Sequence, residues 1–223
     1  VPVNQVIPSS TGVIGVELDP SLVVDNVPAL AAGLSEEGFA AASKAILTTD
    51  LVAKTSYAEV AVKDQVVRIA GMTKGSGMIQ PLMATTLGYV MTDAAISPTL
   101  LRGMLKRAAD ASFNCLSVDG DTSTNDTLLL LASGASGVKV TNAEAFEEPL
   151  TLVLQDLAQQ IARDGEGAKR FVTIDVTGAA TKEDAVKLAR GIANSPLFKT
   201  AIAGADPNWG RVISAAGNSG VVF

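Results

Sequence analysis

Apolar and polar residues alternate along residues 57–71, on both sides of Lys63-Asp64. A period of two residues places successive side chains on opposite faces of a strand. The pattern therefore predicts a β-hairpin with its turn at Lys63-Asp64. Further strand-like apolar runs, typical of buried strands, occupy residues 85–94, 114–120, 126–134 and 170–179.

Helix-like segments lie between these runs. They cover residues 19–27, 35–47, 97–113, 142–165 and 181–194, and a cap is expected at the start of the 97–113 helix. Ser35 is a candidate cap followed by two acids, which the helix dipole favours in a first turn. Thr181 precedes Asp184 by three positions, which is a capping-box spacing. Pro28 is expected to end or kink the first of these helices.

The order of these elements predicts the fold class. Strands and helices alternate without a strict βαβ rhythm, which favours a mixed α/β (α+β) fold, a layered sandwich of mixed sheets covered by helices. The length of 223 residues suits one large domain or two small ones, and 48% hydrophobic with 18% charged residues is an ordinary globular composition.

The chain is acidic, with a formal net charge of −6 and a pI near 4.7. This charge argues against nucleic acid and anionic membranes as main partners. No window approaches the roughly 18 consecutive apolar residues that a transmembrane helix needs. We therefore predict neither a nucleic-acid nor a membrane partner.

The absence of histidine restricts the possible chemistry. Serine and cysteine nucleophiles usually borrow a histidine base. A Ser–Lys pair, paired carboxylates, or a threonine whose base is its own α-amine remain open. The last requires a chain break just before the threonine, and a free α-amine, with a pKa of about 7.7–8.0, can act as a base near neutral pH.

Residues 74–90, KGSGMIQPLMATTLGYV, hold a glycine-rich turn followed by Thr85 and Thr86. The glycines do not fit a phosphate-binding loop, because Lys74 precedes them instead of following them. A strained turn before a threonine would suit attack on its own preceding peptide bond. A plain glycine turn leading into a strand explains the same residues, so the pattern by itself leaves both interpretations open.

The acidic run DGDTSTND, residues 119–126, is the strongest candidate for a metal site. A calcium-binding EF-hand loop needs glycine at its sixth position and glutamate at its twelfth, where this chain has Thr124 and Leu130. With no histidine and one cysteine, zinc lacks its usual ligands. Such aspartates and threonines commonly bond backbone amides in turns, and we predict no metal site.

Several spaced segments together resemble the ornithine acetyltransferase family, the bifunctional glutamate N-acetyltransferases of arginine biosynthesis. They are residues 9–15 (SSTGVIG), 45–50 (AILTTD), 74–87 (KGSGMIQPLMATTL), 121–127 (DTSTNDT), 164–168 (DGEGA) and 206–211 (DPNWGR). The resemblance covers essentially the whole chain and implies the DmpA/ArgJ-like fold. Family members extend beyond both ends of this chain, so both ends are expected to be truncated relative to the family.

The resemblance implies self-cleavage between Ala84 and Thr85. Residues 1–84 would then form the α-chain portion and residues 85–223 the β-chain portion, both contributing to one catalytic unit. Thr85 would be the nucleophile, with its own α-amine as the base. Leu82 departs from the family, which usually has asparagine there.

The remaining site residues also follow from the resemblance. Thr11 and Gly12 match the oxyanion hole. Thr48 and Thr49 match a substrate-contacting threonine pair, and Lys74 and Glu166 match residues that bind the carboxylate and ammonium groups of the amino-acid substrates.

The implied reaction moves the acetyl group of N-acetylornithine to glutamate through an acetyl-threonine intermediate. It needs no cofactor, with acetyl-CoA as a possible acetyl donor in a bifunctional enzyme. The implied partners are the α and β chains of one precursor in an (αβ)n assembly, in the cytoplasm or in the mitochondrial matrix of a eukaryote. Two alternatives stay open: a self-processing amidase or aminopeptidase with water as acceptor, and a non-catalytic binding module.

Overall fold

The computed structural model describes residues 2–80 and 86–222. The strands in these ranges are β1 (Lys54–Val62), β2 (Gln65–Lys74), β3 (Leu87–Thr92), β4 (Ala95–Ile96), β5 (Thr127–Ala132) and β6 (Lys139–Val140). Four of them form a mixed sheet in the order β1-β2-β3-β5, and β4 pairs with β6 separately. The mixed α/β prediction is thereby confirmed.

Eight α-helices lie in the same described ranges. They are α1 (Ser21–Val24), α2 (Val27–Ala32), α3 (Gly38–Ala45), α4 (Pro98–Asp110), α5 (Glu147–Arg163), α6 (Lys182–Ala193), α7 (Pro196–Ala203) and α8 (Trp209–Gly217). Short 3₁₀ turns occupy Val3–Gln5 and Phe113–Cys115. None of the described helices is both long and apolar enough to cross a membrane.

The predicted hairpin is present and longer than its alternating pattern. Strands β1 and β2 pair antiparallel from Lys54 opposite Thr73 to Val62 opposite Gln65. Lys63 takes the left-handed conformation, with φ 55°, that reverses the chain. The alternation of apolar residues therefore predicted both the pairing and the position of the turn.

Strand β3 lies between the antiparallel hairpin and the parallel strand β5. It pairs antiparallel with β2 and parallel with β5. Strands β1 and β2 precede the predicted cleavage site, whereas β3 and β5 follow it. Residues on both sides of that site therefore supply strands to one continuous sheet.

Helix α5 covers one face of the sheet, packing on β1 and β2, and α4 packs against α5. Its buried residues follow the spacing of an amphipathic helix and are Leu150, Val153, Leu154, Leu157, Ala158 and Ile161. They share one hydrophobic core with sheet residues that include Val67, Ile69 and Val90. Burial of apolar side chains stabilises such a core by about 1.5–3 kcal/mol for each large residue.

Two predicted helix starts are confirmed, and three others need correction. The Ser97 hydroxyl accepts a hydrogen bond from the Leu100 amide, and Thr181 accepts one from Asp184. The 19–27 segment is split into α1 and α2, and Pro28 lies in the first turn of α2 instead of ending a helix. Helix α3 begins after Glu37, so Ser35 does not cap it. Helix α5 begins at Glu147 instead of residue 142.

Two predicted strands are absent from the described chain. In the 114–120 segment the backbone forms a hydrogen bond with the turn that follows β2. The Val118 amide donates to the Ile79 carbonyl at 2.7 Å. The 170–179 segment has an irregular, largely exposed backbone. An apolar run becomes a strand only where another strand can satisfy its backbone groups, and neither segment pairs with one here.

Gly71 allows α5 to approach the sheet closely. A Cβ atom at this position would lie 2.8 Å from Cδ1 of the buried Leu157. We expect Gly71→Ala to lower the free energy of unfolding by about 1–3 kcal/mol, because the core must shift to admit the methyl group. Urea unfolding measures the change.

Gly217→Ala is the matched control, because an added Cβ there has no neighbour within 4 Å. Its free energy of unfolding should stay the same or rise by up to about 1 kcal/mol, because alanine favours a helix more than glycine does. Equal loss of stability in both variants would contradict the close packing of α5 on the sheet.

Candidate active site

A small cavity of about 30 Å³ brings together four segments that are distant in sequence. Its wall consists of Thr11, Gly12 and Ile14, of Lys74, Gly77 and Met78, of Thr86, and of residues 123–126. Three residues singled out from the sequence, Thr11, Gly12 and Lys74, thus lie on one wall with Thr86. The predicted cleavage residues Ala84 and Thr85 lie outside the described residues.

The N-terminal loop is attached to the sheet beside the cavity. The Ser9 hydroxyl shares a hydrogen bond of 2.6 Å with the Tyr89 hydroxyl on β3. This contact holds an otherwise exposed loop two residues before Thr11. It explains how the predicted oxyanion-hole residues reach a site built mainly on the sheet.

Thr86 is fixed where three strands meet. Its buried hydroxyl donates to the Lys74 carbonyl and shares a 2.9 Å hydrogen bond with the Thr73 hydroxyl. Its own carbonyl accepts from the Thr127 amide at 2.7 Å, beside the first pair of β3 and β5. These contacts fix the position of Thr86 at the start of β3.

The turn after Lys74 is held by hydrogen bonds from distant segments. The Gly75 amide donates to Asp50 Oδ1 at 2.7 Å, and the Ser76 hydroxyl donates to the Asp164 carbonyl at 2.7 Å. Met78 has a φ of 54°, a left-handed conformation that costs a non-glycine residue about 1–2 kcal/mol. The glycine-rich turn is therefore both strained and firmly anchored.

A buried lysine connects these anchors. The Lys54 ammonium lies 2.6 Å from Asp50 Oδ1 and 2.6 Å from Asp164 Oδ2, and its side chain is 0% exposed. It also donates to the Val52 carbonyl at 3.2 Å. All three protons of the ammonium thus have acceptors, which a buried charge requires.

The two carboxylates of this cluster also accept hydrogen bonds from backbone amides. Asp164 also accepts a hydrogen bond from the Leu51 amide at 3.0 Å, and Asp50 accepts one from the Thr48 amide at 3.2 Å. Burial raises the pKa of Asp50, but hydrogen bonds from Lys54, Gly75 and Thr48 outweigh it and hold the pKa below its ordinary value. Asp50 is therefore ionised at neutral pH.

The predicted substrate-contacting residues border the same turn. The Lys74 ammonium lies 3.5 Å from the Thr48 hydroxyl, so Thr48 is the member of the threonine pair that contacts Lys74, and both threonines are exposed. The Glu166 amide donates to the Ser76 carbonyl at 2.9 Å. A Cβ at Gly77 would lie 2.7 Å from the Glu166 carboxyl carbon, so the Glu166 carboxylate rests directly on the turn.

The acidic loop at residues 119–126 bonds mainly to nearby backbone and side chains, as its composition predicts. Asp119 accepts hydrogen bonds from the Ile79 and Asp121 amides at 2.9 and 3.0 Å. The Asn125 amide donates to the Ser123 hydroxyl at 3.2 Å. In residues 2–80 and 86–222, no group of three or more His, Cys, Asp or Glu side chains is placed to hold a metal ion.

Asp126 differs from the other acids of this loop. Both of its carboxylate oxygens are buried, and neither has a hydrogen-bond partner in the described part of the chain. Burial raises its pKa to about 6, against the opposing effects of Lys74 and of the nearby Thr86 amide, which does not reach hydrogen-bond geometry. Asp126 is thus a buried acid on the wall of the cavity.

Sequence reasoning assigned no role to Lys54, Asp50, Asp164 or Asp126. The three aspartates lie inside segments that it did single out, at residues 45–50, 164–168 and 121–127. Their place within those segments is the one feature of the sequence that indicated these three aspartates. A larger, open depression of about 510 Å³ beside residues 169–172 and 202–207 contains none of the predicted site residues.

Comparisons with known proteins identify the family to which the chain is similar. The sequence pattern of the ArgJ family matches residues 1–223. The "arginine biosynthesis bifunctional protein ArgJ" of Ruegeria pomeroyi is 52% identical over 220 residues, which cover 99% of this chain and 54% of the relative. The Synechococcus protein of the same name is 50% identical over 228 residues, covering 100% and 55%. The chain spans about half the length of the curated relatives it matches.

A plant relative and a solved structure are also similar. The chloroplastic ArgJ protein of Citrullus lanatus is 47% identical over 230 residues, covering 99% of this chain and 50% of the relative. The crystal structure of arginine biosynthesis bifunctional protein ArgJ from Bacillus halodurans shares 46% sequence identity with a TM-score of 0.59. That match covers 60% of this chain and 66% of the other.

Replacing the buried lysine tests the anchoring cluster. We expect Lys54→Met to lower the free energy of unfolding by about 3–5 kcal/mol, because it leaves two buried carboxylates without their cation. The deficit should shrink as the pH falls from about 7 to about 4.5, since protonation removes those unpaired charges. Urea unfolding at several pH values measures both effects.

Lys106→Met is the matched control. Lys106 pairs with Asp110 at 2.7 Å, but its side chain is 70% exposed, and such surface pairs contribute little. Its stability should change by no more than about 0.5 kcal/mol at any pH. A Lys54→Met deficit that does not depend on pH would contradict the electrostatic role of Lys54.

Proposed function

The chain belongs to the ArgJ family, and on this premise we propose that the protein transfers the acetyl group of N-acetylornithine to glutamate in arginine biosynthesis. The observation that carries the proposal is the cavity where Thr11, Gly12 and Lys74 meet Thr86. Transfer to water, as in an amidase or aminopeptidase, is less favoured because the relatives are named for arginine biosynthesis.

The nucleophile in this proposal is Thr85, released by cleavage after Ala84. The fixed position of Thr86 supports it. The left-handed backbone at Met78 shows that the preceding turn is held in a strained conformation, and strained backbone often occurs at functional sites. Cleavage would give portions 1–84 and 85–223. The backbone pairing of β2 with β3 would keep the two portions together afterwards.

The chemical steps follow from the residues available. The Thr85 hydroxyl attacks the acetyl carbonyl carbon, and the α-amine of Thr85 takes the hydroxyl proton and passes it to the leaving amine of ornithine. Thr11 and Gly12 stabilise the negative charge on the carbonyl oxygen, and one such donor is worth about 3–4 kcal/mol. The amine of glutamate then attacks acetyl-Thr85 and regenerates the free threonine.

Substrate recognition is assigned to charges at the anchored turn. Both substrates carry carboxylate groups, which suit the Lys74 ammonium, and an ammonium group suits Glu166. Thr48 adds a hydroxyl beside Lys74. We propose that Thr49, the next residue, also contacts the substrate. Because Asp50 and Asp164 fix the turn, these groups are positioned before a substrate arrives.

The wider context of the enzyme is also a proposal. The cycle needs no cofactor, and acetyl-CoA would serve as a second acetyl donor if the protein is bifunctional. Its protein partners are its own α and β portions in an (αβ)n assembly. We place it in the cytoplasm of a bacterium or in an organelle matrix, such as that of mitochondria, in a eukaryote.

N-terminal sequencing with an intact mass tests the nucleophile. We expect two chains, the second beginning Thr85-Thr86-Leu87, and acetyl transfer from N-acetylornithine to glutamate. Thr85→Ala should stay uncleaved and inactive because it has no hydroxyl, whereas Thr85→Ser should retain cleavage. A single uncut chain in the unchanged protein, or transfer by Thr85→Ala, would sink the proposal.

Steady-state kinetics tests the role of Lys74. We expect Lys74→Gln to raise the KM for N-acetylornithine about 10- to 100-fold, because a hydrogen bond to a charged group contributes about 1.5–3 kcal/mol. The control is Lys44→Gln, at an exposed position on α3, with unchanged kinetics. An unaltered KM in Lys74→Gln would remove Lys74 from the substrate site.

A further inference from the structure

Asp126 is a buried acid to which the proposed cycle assigns no role. Both of its carboxylate oxygens are buried and lack a hydrogen-bond partner in residues 2–80 and 86–222. A buried carboxylate without a partner is costly, and buried charges in folded proteins are normally paired. Because Asp126 lies on the wall of the cavity, a hydrogen-bond donor on a bound molecule would satisfy it.

The backbone fixes where this acid stands. Strand β5 begins at the next residue, Thr127, which lies opposite Leu87 in the parallel pair. The Thr127 amide donates to the Thr86 carbonyl at 2.7 Å. These contacts attach the residue that follows Asp126 to the chain entering β3, so the acid belongs to a wall that is anchored on the sheet.

The same wall carries a positive charge. Lys74 is the other charged side chain among the described wall residues, and it is close enough to act on the Asp126 carboxylate. Thr11 and Gly12 lie on this wall as well. A cation and an anion at one cavity suit a ligand that carries both charges, as an α-amino acid does.

The covalent structure of the proposed substrate relates these groups to one another. In an N-acyl α-amino acid, one nitrogen is bonded both to the acyl carbon and to the carbon that carries the carboxylate. If Thr11 and Gly12 bind the acyl oxygen and Lys74 binds the carboxylate, this nitrogen lies between them. It carries an N–H in the acylated molecule and is an ammonium in the free amino acid, so it is a donor in both.

The cavity has space for that part of the ligand. Its volume of about 30 Å³ holds about one or two water-sized groups, which is enough for the nitrogen but not for a whole amino acid. The rest of the ligand must lie outside. The Glu166 carboxylate rests on Gly77, another wall residue, and can receive a second ammonium there.

We propose that Asp126 binds the α-nitrogen of the substrates, as the amide N–H of N-acetylornithine and as the ammonium of ornithine. The inference rests on the proposed function, which supplies the roles of Thr11, Gly12 and Lys74. Asp126 is thus a specificity-determining residue. It favours α-amino acids over α-hydroxy acids, because a hydroxyl in place of the amine carries no positive charge.

Calorimetric titration with ornithine and with its α-hydroxy analogue tests the proposal. The two ligands share the carboxylate and the terminal ammonium, so Lys74 and Glu166 contribute equally to both. Neither ligand has an acetyl group to transfer. At about pH 7, where an α-amine is mostly protonated, the unchanged protein should bind ornithine about 10- to 100-fold more tightly, as expected for a charged hydrogen bond.

Asp126→Asn keeps the shape of the side chain and removes its charge. We expect the affinity for ornithine to fall about 10-fold or more, with little change for the α-hydroxy analogue. Asp121→Asn, at an exposed position in the same loop, is the matched control and should leave both affinities unchanged.

The possible outcomes separate this inference from the proposed function. Equal affinities for both ligands in the unchanged protein overturn the inference while acetyl transfer stands. Equal weakening of both ligands in Asp126→Asn also overturns it and makes Asp126 a structural residue. A preference for ornithine without acetyl transfer overturns the proposed function alone, and absence of both binding and transfer overturns the two together.

If Asp126→Asn does not fold, the pH dependence of the unchanged protein decides. Burial raises the pKa of Asp126 to about 6, and a bound ammonium lowers it again. The affinity for ornithine should therefore fall as the pH decreases below about 6, because protonation removes the charge of Asp126. Groups shared by the two ligands cancel in the ratio of their affinities, and a ratio that does not change with pH overturns the inference.

Discussion

The buried Lys54 ammonium is the contact on which the candidate active site depends. It joins Asp50 and Asp164, and through them it fixes both the segment before β1 and the turn after Lys74. A buried charge is tolerated only when its partners are in place, so these segments must come together in one arrangement. The groups proposed to bind substrate, on Lys74 and Glu166, are therefore held by a cluster to which we assign no substrate contact.

The sheet supplies the second constraint. Strand β3 runs antiparallel to β2 and parallel to β5. The last residue of β2 and the first residues of β3 and β5 therefore lie at the same end of the sheet. Lys74, Thr86 and Asp126 stand at those three points. The same hydrogen-bonded ladder would keep both portions associated after a chain break between β2 and β3, so self-cleavage and a stable fold are compatible in this topology.

The two buried acidic environments of the site differ in a way that matters for chemistry. Asp50 is saturated with hydrogen bonds and has a lowered pKa, whereas Asp126 has no such bonds within the described chain and a raised pKa. Buried polar groups with all their hydrogen bonds formed make a structure rigid, whereas buried groups without partners often have a role in binding or catalysis. The contrast separates the anchoring cluster from the buried carboxylate on the cavity wall.

The sequence by itself determined the features that depend on neighbours along the chain. The hairpin turn at Lys63, the caps Ser97 and Thr181 and the amphipathic face of α5 obey local rules of period and capping. The resemblance also named Thr11, Gly12 and Lys74, which the cavity brings together. The structure alone decided that residues 114–120 and 170–179 are not strands, because an apolar run needs a partner strand. It alone decided the ion cluster and the burial of Asp126, because Lys54 and Asp164 are 110 positions apart and burial is a property of the packed chain.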